Sequence, residues 1–399
     1  MECVVLAAGE GKRMRPLTSN RPKVMLPIAN RPMMEHLVIA ARDAGIADFV
    51  FVVGYGEREI RSYFGDGSNL GIRVRYVTQR RQLGTSDALR SAAGMVRGRF
   101  MMLNGDMILD SDDIRTLAAE QAPCMAISST THPEDFGVVT VGGDRITGLE
   151  EKSPRPTSTL INAGAYLFDD SIFGLLERVP LSGRGEFELT DALGMWIAEG
   201  KLRAYRLHSW LDVGHPWDLL DANNALLEAL PERREGTIEE GVVLSGKVSV
   251  GAGSTLKAGT YIEGPCVIGE NCKIGPHAYI RGATSIGNGC HIGHSTEIKN
   301  TIVMPGTKLP HFNYVGDSVI GSGCNFGAGT KIANLRHDHQ PVKVCGVSSG
   351  KKKFGAIIGD GVQFGINCSV NVGSVIGSDS IIAPHTMVEG CLENNTTLR

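Results

Sequence analysis

Two glycines and three cations follow the first apolar run of the chain, Cys3-Val-Val-Leu6-Ala-Ala8-Gly9-Glu-Gly11-Lys12-Arg13-Met-Arg15-Pro-Leu. Glycines placed directly after a short buried strand let the backbone close on a ligand and turn its N–H groups toward an anion. The cations beside them add charge. A little further on, Arg21-Pro-Lys23-Val-Met-Leu-Pro27 forms a second rigid turn that presents a lysine. These residue types suit a cradle for a nucleoside triphosphate; the alternative is a solvated basic turn. Two familiar phosphate loops do not fit. A Walker loop needs Ser or Thr after its Gly-Lys, and Arg13 follows Lys12; a dinucleotide fingerprint needs a third glycine where Met14 stands.

The elements that must hold this loop alternate. Cys3–Ala7 is a strand, Pro32–Ala44 helical, Asp48–Val53 a strand, Glu57–Phe64 a helix, Val74–Tyr76 a short strand, Thr85–Met95 helical and Arg99–Leu103 a strand ending in Asn104-Gly-Asp106. This order predicts an α/β domain with a mainly parallel sheet, whose ligands belong at the carboxyl ends of the strands. Gly9 and Asp106 both stand just past such ends. An amphipathic helix over Pro216–Leu230 closes the region. The polar break Pro231–Gly236 places a boundary between a domain at 1–230 and a second at 236–399.

From Leu244 onward aliphatic residues recur every six positions, at Val250, Leu256, Ile262 and so on to Ile298. The frame breaks near Met304–Tyr314, resumes at Ile320, breaks again over Asn334–Ala356 and returns from Ile358 to Val388. Each six can supply one short strand and one turn of a parallel β-solenoid with the anchors stacked inward. Nine cysteines are present and none forms CxxC. Five of them (Cys266, Cys272, Cys290, Cys324 and Cys368) stand two places before an anchor, a slot suited to a small apolar side chain. The expectation is therefore free thiols, Cys272 and Cys290 included, with neither zinc nor disulfides.

The run LAAGxGxRxxPLT…PKxxLPxxxxPM, carried here from Leu6 to Met33, resembles the signature of sugar-1-phosphate nucleotidylyltransferases. The resemblance extends from Cys3 to about Asn223. It implies nucleotide binding by Leu6, Ala8, Gly9, Gly11 and the Gln82-Leu-Gly84-Thr85 segment, whose Gln amide can pair with a uracil or thymine edge. It implies that Arg13 meets the triphosphate and Lys23 the sugar phosphate. Gly137, Glu151-Lys152 and Asn162 match the sugar-binding stretches. Asp106 and Asp212, each of which alone reads better as a turn aspartate, together match the family's Mg²⁺ ligands. Mg²⁺ prefers one or two carboxylates with phosphate oxygens and water.

The solenoid resembles the left-handed β-helix of hexapeptide-repeat acyltransferases. The left hand is implied by that resemblance, since the general rule for parallel crossovers favours the right. After the first break, His311-Phe-Asn-Tyr314-Val-Gly-Asp317-Ser-Val-Ile-Gly-Ser-Gly-Cys-Asn325-Phe-Gly-Ala328-Gly-Thr resembles the acetyltransferase run of bifunctional N-acetylglucosamine-1-phosphate uridylyltransferases. It implies His311 as catalytic base and Tyr314, Asn325, Asn334, Arg281 and Lys299 as substrate contacts. Ala328, Lys351 and Lys352 would meet acetyl-CoA. A lone solenoid histidine is otherwise a surface residue, and a lysine run a solvated one. Gln340 stands where the bacterial family carries a lysine.

A formal charge of −3 gives no pull toward nucleic acid or anionic membrane, and no apolar run reaches the length of a membrane span. The N-terminus lacks a signal-peptide pattern, so a cytoplasmic protein is expected. The combined reading is a bifunctional enzyme that uses Mg²⁺, UTP and acetyl-CoA to make a UDP-N-acetylhexosamine from an aminohexose-1-phosphate. It acts on small molecules and assembles as a homotrimer or a dimer of trimers, as the resemblance implies. The alternatives are a glucose-1-phosphate thymidylyl- or uridylyltransferase with an inert solenoid, and a regulatory or scaffold subunit.

Overall fold

A computed structural model describes residues 1–399. The chain forms two compact units: Met1–Glu10, Arg21–Met25 and Met33–Asp212 make the first, and Gly11–Asn20, Leu26–Pro32 and Val213–Arg399 the second.

The first unit is built on a nine-stranded sheet whose strands run, from one edge, 73–78, 48–53, 2–7, 100–104, 160–168, 124–129, 203–206, 145–151 and 137–142. Strand Glu2–Ala7 is buried on both faces. Cys3, Val5 and Ala7 pack into one apolar cluster with Phe49, Phe51 and Leu103, while Val4 packs into the other with Val50, Val52 and Met102. Successive side chains of a strand point to opposite faces, and helices cover both faces here, so the run from Cys3 to Ala7 is apolar at every position. The sheet is not mainly parallel. The strands from 73–78 to 100–104 are parallel, but Leu160–Phe168 runs antiparallel to both of its long neighbours, and Gly137–Gly142 and Arg145–Glu151 form an antiparallel hairpin. Gly143 at φ 67° makes that hairpin turn, which leaves no length for a crossover helix. The helix expected to reach Met95 ends at Arg90.

In the second unit three parallel sheets, of nine, eight and eight strands, stack along the chain. Val243 pairs with Tyr261, Tyr261 with Tyr279 and Tyr279 with Glu297. One coil is therefore eighteen residues, as these numbers give, and a parallel β-helix architecture follows. The anchors Val250, Leu256, Ile262, Ile274, Ile280, Ile286, Ile292 and Ile298 are fully buried in one continuous core.

The first interruption of the frame is not a loop. It is two five-residue steps, Ile298 to Val303 and Val315 to Ile320, seen in the pairings Ile286 with Val303 and Val303 with Ile320. Each removes one residue from a corner, at Asn300 and at Asp317. The second interruption is an excursion that carries a hairpin, Lys343–Val344 against Val347–Ser348. Cys345 at its tip forms a disulfide with Cys391, against the expectation of free thiols throughout. The excursion brings together two cysteines that lie 46 residues apart, which the repeat spacing could not foretell. The other seven cysteines are buried thiols, with the five in the anchor-adjacent slots among them.

The helix Asp218–Ala229 belongs with the solenoid rather than with the sheet. Its buried Asn223 accepts from the Ala29 amide (2.9 Å) and the Ser285 hydroxyl (2.5 Å), and donates to the Ala283 carbonyl (2.9 Å).

Candidate active sites

The first site gathers at the carboxyl ends of the central parallel strands. Leu6 pairs with Asn104, and the Gly105 amide donates to the Leu6 carbonyl at 2.9 Å. A Cβ on Gly105 would stand 2.8 Å from that same oxygen, so only glycine lets Asp106 turn here. Strand Trp210–Asp212 then pairs antiparallel with Met107–Leu109, with Asp212 opposite Met107. The sequence neighbour of Asp106 is thus the register partner of Asp212, and the two carboxylates flank one strand pair. Lys23, 8% exposed, donates to Asp106 Oδ2 at 2.6 Å. Two hard carboxylates beside a glycine-opened loop are a donor set that Mg²⁺ accepts.

The turn that aims Asp212 is held by a residue that sequence reasoning missed. Asp113, 2% exposed, accepts from the amides of His208 and Ser209 (2.9 Å each to Oδ2), from the His208 ring and from the Tyr205 hydroxyl (2.8 Å). Burial pushes its carboxyl up, but these bonds outweigh burial and hold it below its ordinary range.

The segment expected to read the base is positioned from behind. Gly54 would clash with the Gln82 amide if it carried a Cβ (2.9 Å), and the Tyr55 amide donates to the Ala8 carbonyl (3.1 Å). Gln82 therefore lies beside the loop that Ala8 and Gly9 open. Gly84 sits at φ 104°, where a Cβ would stand 2.5 Å from the Phe187 carbonyl oxygen. Phe187 donates to the Leu83 carbonyl (2.7 Å) and accepts from the Ser86 amide (3.0 Å). The Thr85 hydroxyl accepts from the Leu189 amide (3.1 Å), so it anchors the start of the helix Leu189–Ala198. Gly11 sits at φ 70° and accepts from the Met14 amide in the short turn that carries Arg13; both belong to the second unit.

Three of the expected sugar-site residues converge. Glu151 is the register partner of Gly137, and a Cβ on Gly137 would stand 3.2 Å from Glu151 Oε2 and 3.5 Å from Asn162 Cβ. Asn162 is held by the Tyr166 hydroxyl (2.6 Å) and the Gly164 amide (3.1 Å). Burial raises the Glu151 carboxyl above the usual range, and Arg184, 3.6 Å away, opposes that shift. Lys152 adopts φ 49° and its amide donates to the Phe136 carbonyl (2.9 Å).

The second site lies on one sheet of the solenoid. Arg281, Lys299 and Gly316 are register partners in three successive coils, as are Tyr279, Glu297 and Tyr314 two places earlier on the same face. Arg281 pairs with Glu297 (2.9 Å). A Cβ on Gly316 would meet the Asn334 amide (2.5 Å) and the Tyr314 hydroxyl (2.8 Å), so the glycine leaves room for both to converge. His311, exposed, ends the strand on the adjoining face, across the corner Phe312-Asn313 from Tyr314. The buried Asn313 side chain accepts from the His311 amide (3.2 Å) and donates to the Gly327 carbonyl (2.9 Å), which fixes that corner. Asn325 lies one coil on, as the partner of Lys308. Ala328 accepts at its carbonyl from the Asn367 amide (2.8 Å). Lys352 is exposed, whereas Lys351 is ion-paired with Asp221 of the Asp218–Ala229 helix.

A glycine-opened loop at the ends of parallel strands, with a lysine–aspartate pair and a second carboxylate in register, defines a nucleotidyl-transferring domain. It precedes a solenoid with its own polar face. The nucleotidyl transferase family model matches residues 2–229, and the GMPPB C-terminal domain model matches 262–393. The chain is 41% identical to the bifunctional protein GlmU of Methanococcus maripaludis, over 99% of this chain and 96% of that one. It is 40% identical to that of Methanocaldococcus jannaschii, over 99% and 97%. It is 36% identical to the bifunctional sugar-1-phosphate nucleotidylyltransferase/acetyltransferase of Sulfurisphaera tokodaii, over 97% of each. A crystal structure from Bacillus anthracis, assigned as a glucose-1-phosphate thymidylyltransferase, superposes with TM-score 0.54 at 30% identity, over 59% of this chain and 98% of that one. This chain belongs to the family of bifunctional sugar-1-phosphate nucleotidylyltransferase/acetyltransferases, the GlmU proteins. It is a two-activity transferase of nucleotide-sugar synthesis.

Proposed function

We propose that the solenoid acetylates an aminohexose-1-phosphate from acetyl-CoA and that the first domain couples the product to UTP, giving a UDP-N-acetylhexosamine and pyrophosphate. The observation that carries this is the convergence of Arg281, Lys299 and Tyr314 on one sheet, with Asn334 just past the next strand, beside the corner that carries His311. In acetyl transfer the amine attacks the thioester carbonyl, His311 accepts the proton and the CoA thiolate leaves. Arg281 and Lys299 hold the sugar phosphate, Tyr314, Asn325 and Asn334 orient the ring, and Ala328 and Lys352 line the path of acetyl-CoA. Lys351 serves that path only if its pair with Asp221 opens.

In nucleotidyl transfer a sugar-phosphate oxygen attacks the α-phosphorus in line with departing pyrophosphate. Asp106 and Asp212 would hold Mg²⁺, which when bound neutralises phosphate charge. Leu6, Ala8, Gly9 and Gly11 receive the triphosphate with Arg13, and Lys23 is placed for the sugar phosphate. Gln82, Gly84 and Thr85 form the base-reading segment, while Gly137, Glu151, Lys152 and Asn162 take the sugar. The solenoid winds left-handed, the chain assembles as a homotrimer and it works in the cytoplasm. No helix is long and apolar enough to cross a membrane.

A second reading, thymidylyl or uridylyl transfer to glucose-1-phosphate, draws support from the thymidylyltransferase-like fold of the first domain. A Gln82 amide suits either pyrimidine. A matrix of purified protein against UTP and dTTP, several hexose-1-phosphates, and acetyl-CoA with glucosamine- or galactosamine-1-phosphate decides between them. Turnover of glucose-1-phosphate without acetyl transfer overturns the first reading.

A further inference from the structure

Asp317 stands at a corner where other coils of the same solenoid edge place glycine. Gly246, Gly282 and Gly390 occupy the equivalent turns at φ 73°, 64° and 73°, whereas Asn300 and Asp317 hold this left-handed conformation at φ 45° and 50°. A side chain other than glycine is strained there, and strain of this kind persists where the surrounding structure makes use of it. These two corners are also the two that lack one residue, and so Asp317 stacks directly on the Lys299–Asn300 corner: the Asp317 amide donates to the Lys299 carbonyl at 2.8 Å.

The carboxylate is buried, with its side chain 5% exposed, and it is met by donors on both oxygens. Lys299 Nζ donates to Oδ1 and Oδ2 at 3.0 and 2.9 Å, Asn300 Nδ2 to Oδ1 at 2.8 Å, and Asn334 Nδ2 to Oδ2. The Asp317 carbonyl accepts from the Gly355 amide, while the Phe354 amide beside it donates to the Asn334 carbonyl. Asp317 thereby ties three coils together at the one point where Lys299 and Asn334 meet. A buried carboxylate with charge-assisted donors on both oxygens is costly to leave unpaired and rigidifies the groups that pair with it.

We propose that Asp317 is a positioning residue of the acetyl-acceptor site: it holds the Lys299 ammonium and the Asn334 amide in the geometry that receives the aminohexose-1-phosphate. This rests on the reading of that site given above. Asparagine keeps the size of Asp317 but removes the charge and turns an N–H toward one of the existing donors. Asp317→Asn should raise KM for glucosamine-1-phosphate (or galactosamine-1-phosphate, whichever is the better acceptor) about tenfold, the scale of one charge-assisted bond. KM for acetyl-CoA and the uridylyl-transfer rate of the same preparation should stay within about twofold.

A merely structural role would not produce that split, nor the following coupling. In a Lys299→Met background, Asp317→Asn should change KM by less than about threefold, because its main partner is gone. Equal tenfold effects in both backgrounds overturn the proposal, and so does an unchanged KM for Asp317→Asn. If Lys299→Met itself leaves acetyl transfer at wild type, the reading of the site fails, and the proposal with it. Should Asp317→Asn not fold, Asn300→Gly removes one donor to the carboxylate at a corner that tolerates glycine. It should raise the acceptor KM about two- to threefold, and no change there contradicts the proposal.

Discussion

Lys23 Nζ and Asp106 Oδ2 lie 2.6 Å apart although 83 residues separate them in the chain. The ammonium is buried and the carboxylate is one-third exposed, so the pair presents a carboxylate edge to the loop ends while the lysine is held from the protein side. Removing either charge leaves the other without its counterpart at the proposed nucleotide site. Lys23→Ala and Asp106→Asn should each lower uridylyl transfer by about 10²- to 10³-fold, with acetyl transfer intact. Chelation with EDTA should abolish uridylyl transfer and spare acetyl transfer; full uridylyl transfer in EDTA contradicts the metal assignment.

Gly84 should be intolerant of any side chain. At φ 104°, with the Phe187 carbonyl oxygen 2.5 Å from a Cβ, Gly84→Ala must displace either the base-reading segment or the Phe187 loop. Strain of roughly 1–3 kcal/mol is expected. KM for UTP should rise by about tenfold or more, while acetyl transfer is unaffected. A wild-type KM would show that this segment does not contact the nucleotide.

Much of this was readable from the chain. The apolar run before Gly9, the six-residue frame and the named motifs mark both sets of candidate residues, and the structure brings Gly137, Glu151 and Asn162 into one cluster. What escaped has a common cause. The amides that hold Asp113 and the groups that pair with Phe187 are backbone groups distant in sequence, and backbone groups carry no residue signature. The Cys345–Cys391 bridge depends on where an excursion lands, which no repeat encodes. The mixed sheet follows from a tight turn at Gly143 between strands, whereas strand-like pattern alone is silent on direction. Asp317 did leave a trace: two five-residue steps in a six-residue frame, with Asn and Asp at corners that Gly246, Gly282 and Gly390 hold in other coils.

The Asp113 carboxylate should make the first domain acid-sensitive. Its folded value lies below the unfolded one, so its contribution is fully present above the unfolded value, near pH 4, and is lost as pH falls through the folded value. Asp113→Asn should cost about 1–3 kcal/mol at pH 7, since the His208 and Ser209 amides lose a charged acceptor. Thermal melts of wild type and variant should converge as pH drops from 5 toward 2. A gap that stays constant over that range would contradict the assignment.

The hairpin disulfide gives a countable result. Denatured, unreduced protein should titrate seven thiols and reduced protein nine. Cys391→Ser should release the excursion, increasing proteolysis within Asn334–Ala356 with little effect on uridylyl transfer. Nine thiols without reduction would show that the bridge does not form.

The central claim is that one chain carries two chemistries with separate catalytic groups, and His311→Ala tests it most directly. His311 is exposed and contributes no anchor to the solenoid core, so the variant should fold. Acetyl transfer to the aminohexose-1-phosphate and uridylyl transfer to a supplied N-acetylhexosamine-1-phosphate would be measured on the same preparation. Acetyl transfer should fall by about 10²- to 10⁴-fold while uridylyl transfer stays within about twofold. Wild-type acetyl transfer, or loss of both activities in a folded protein, would contradict the account.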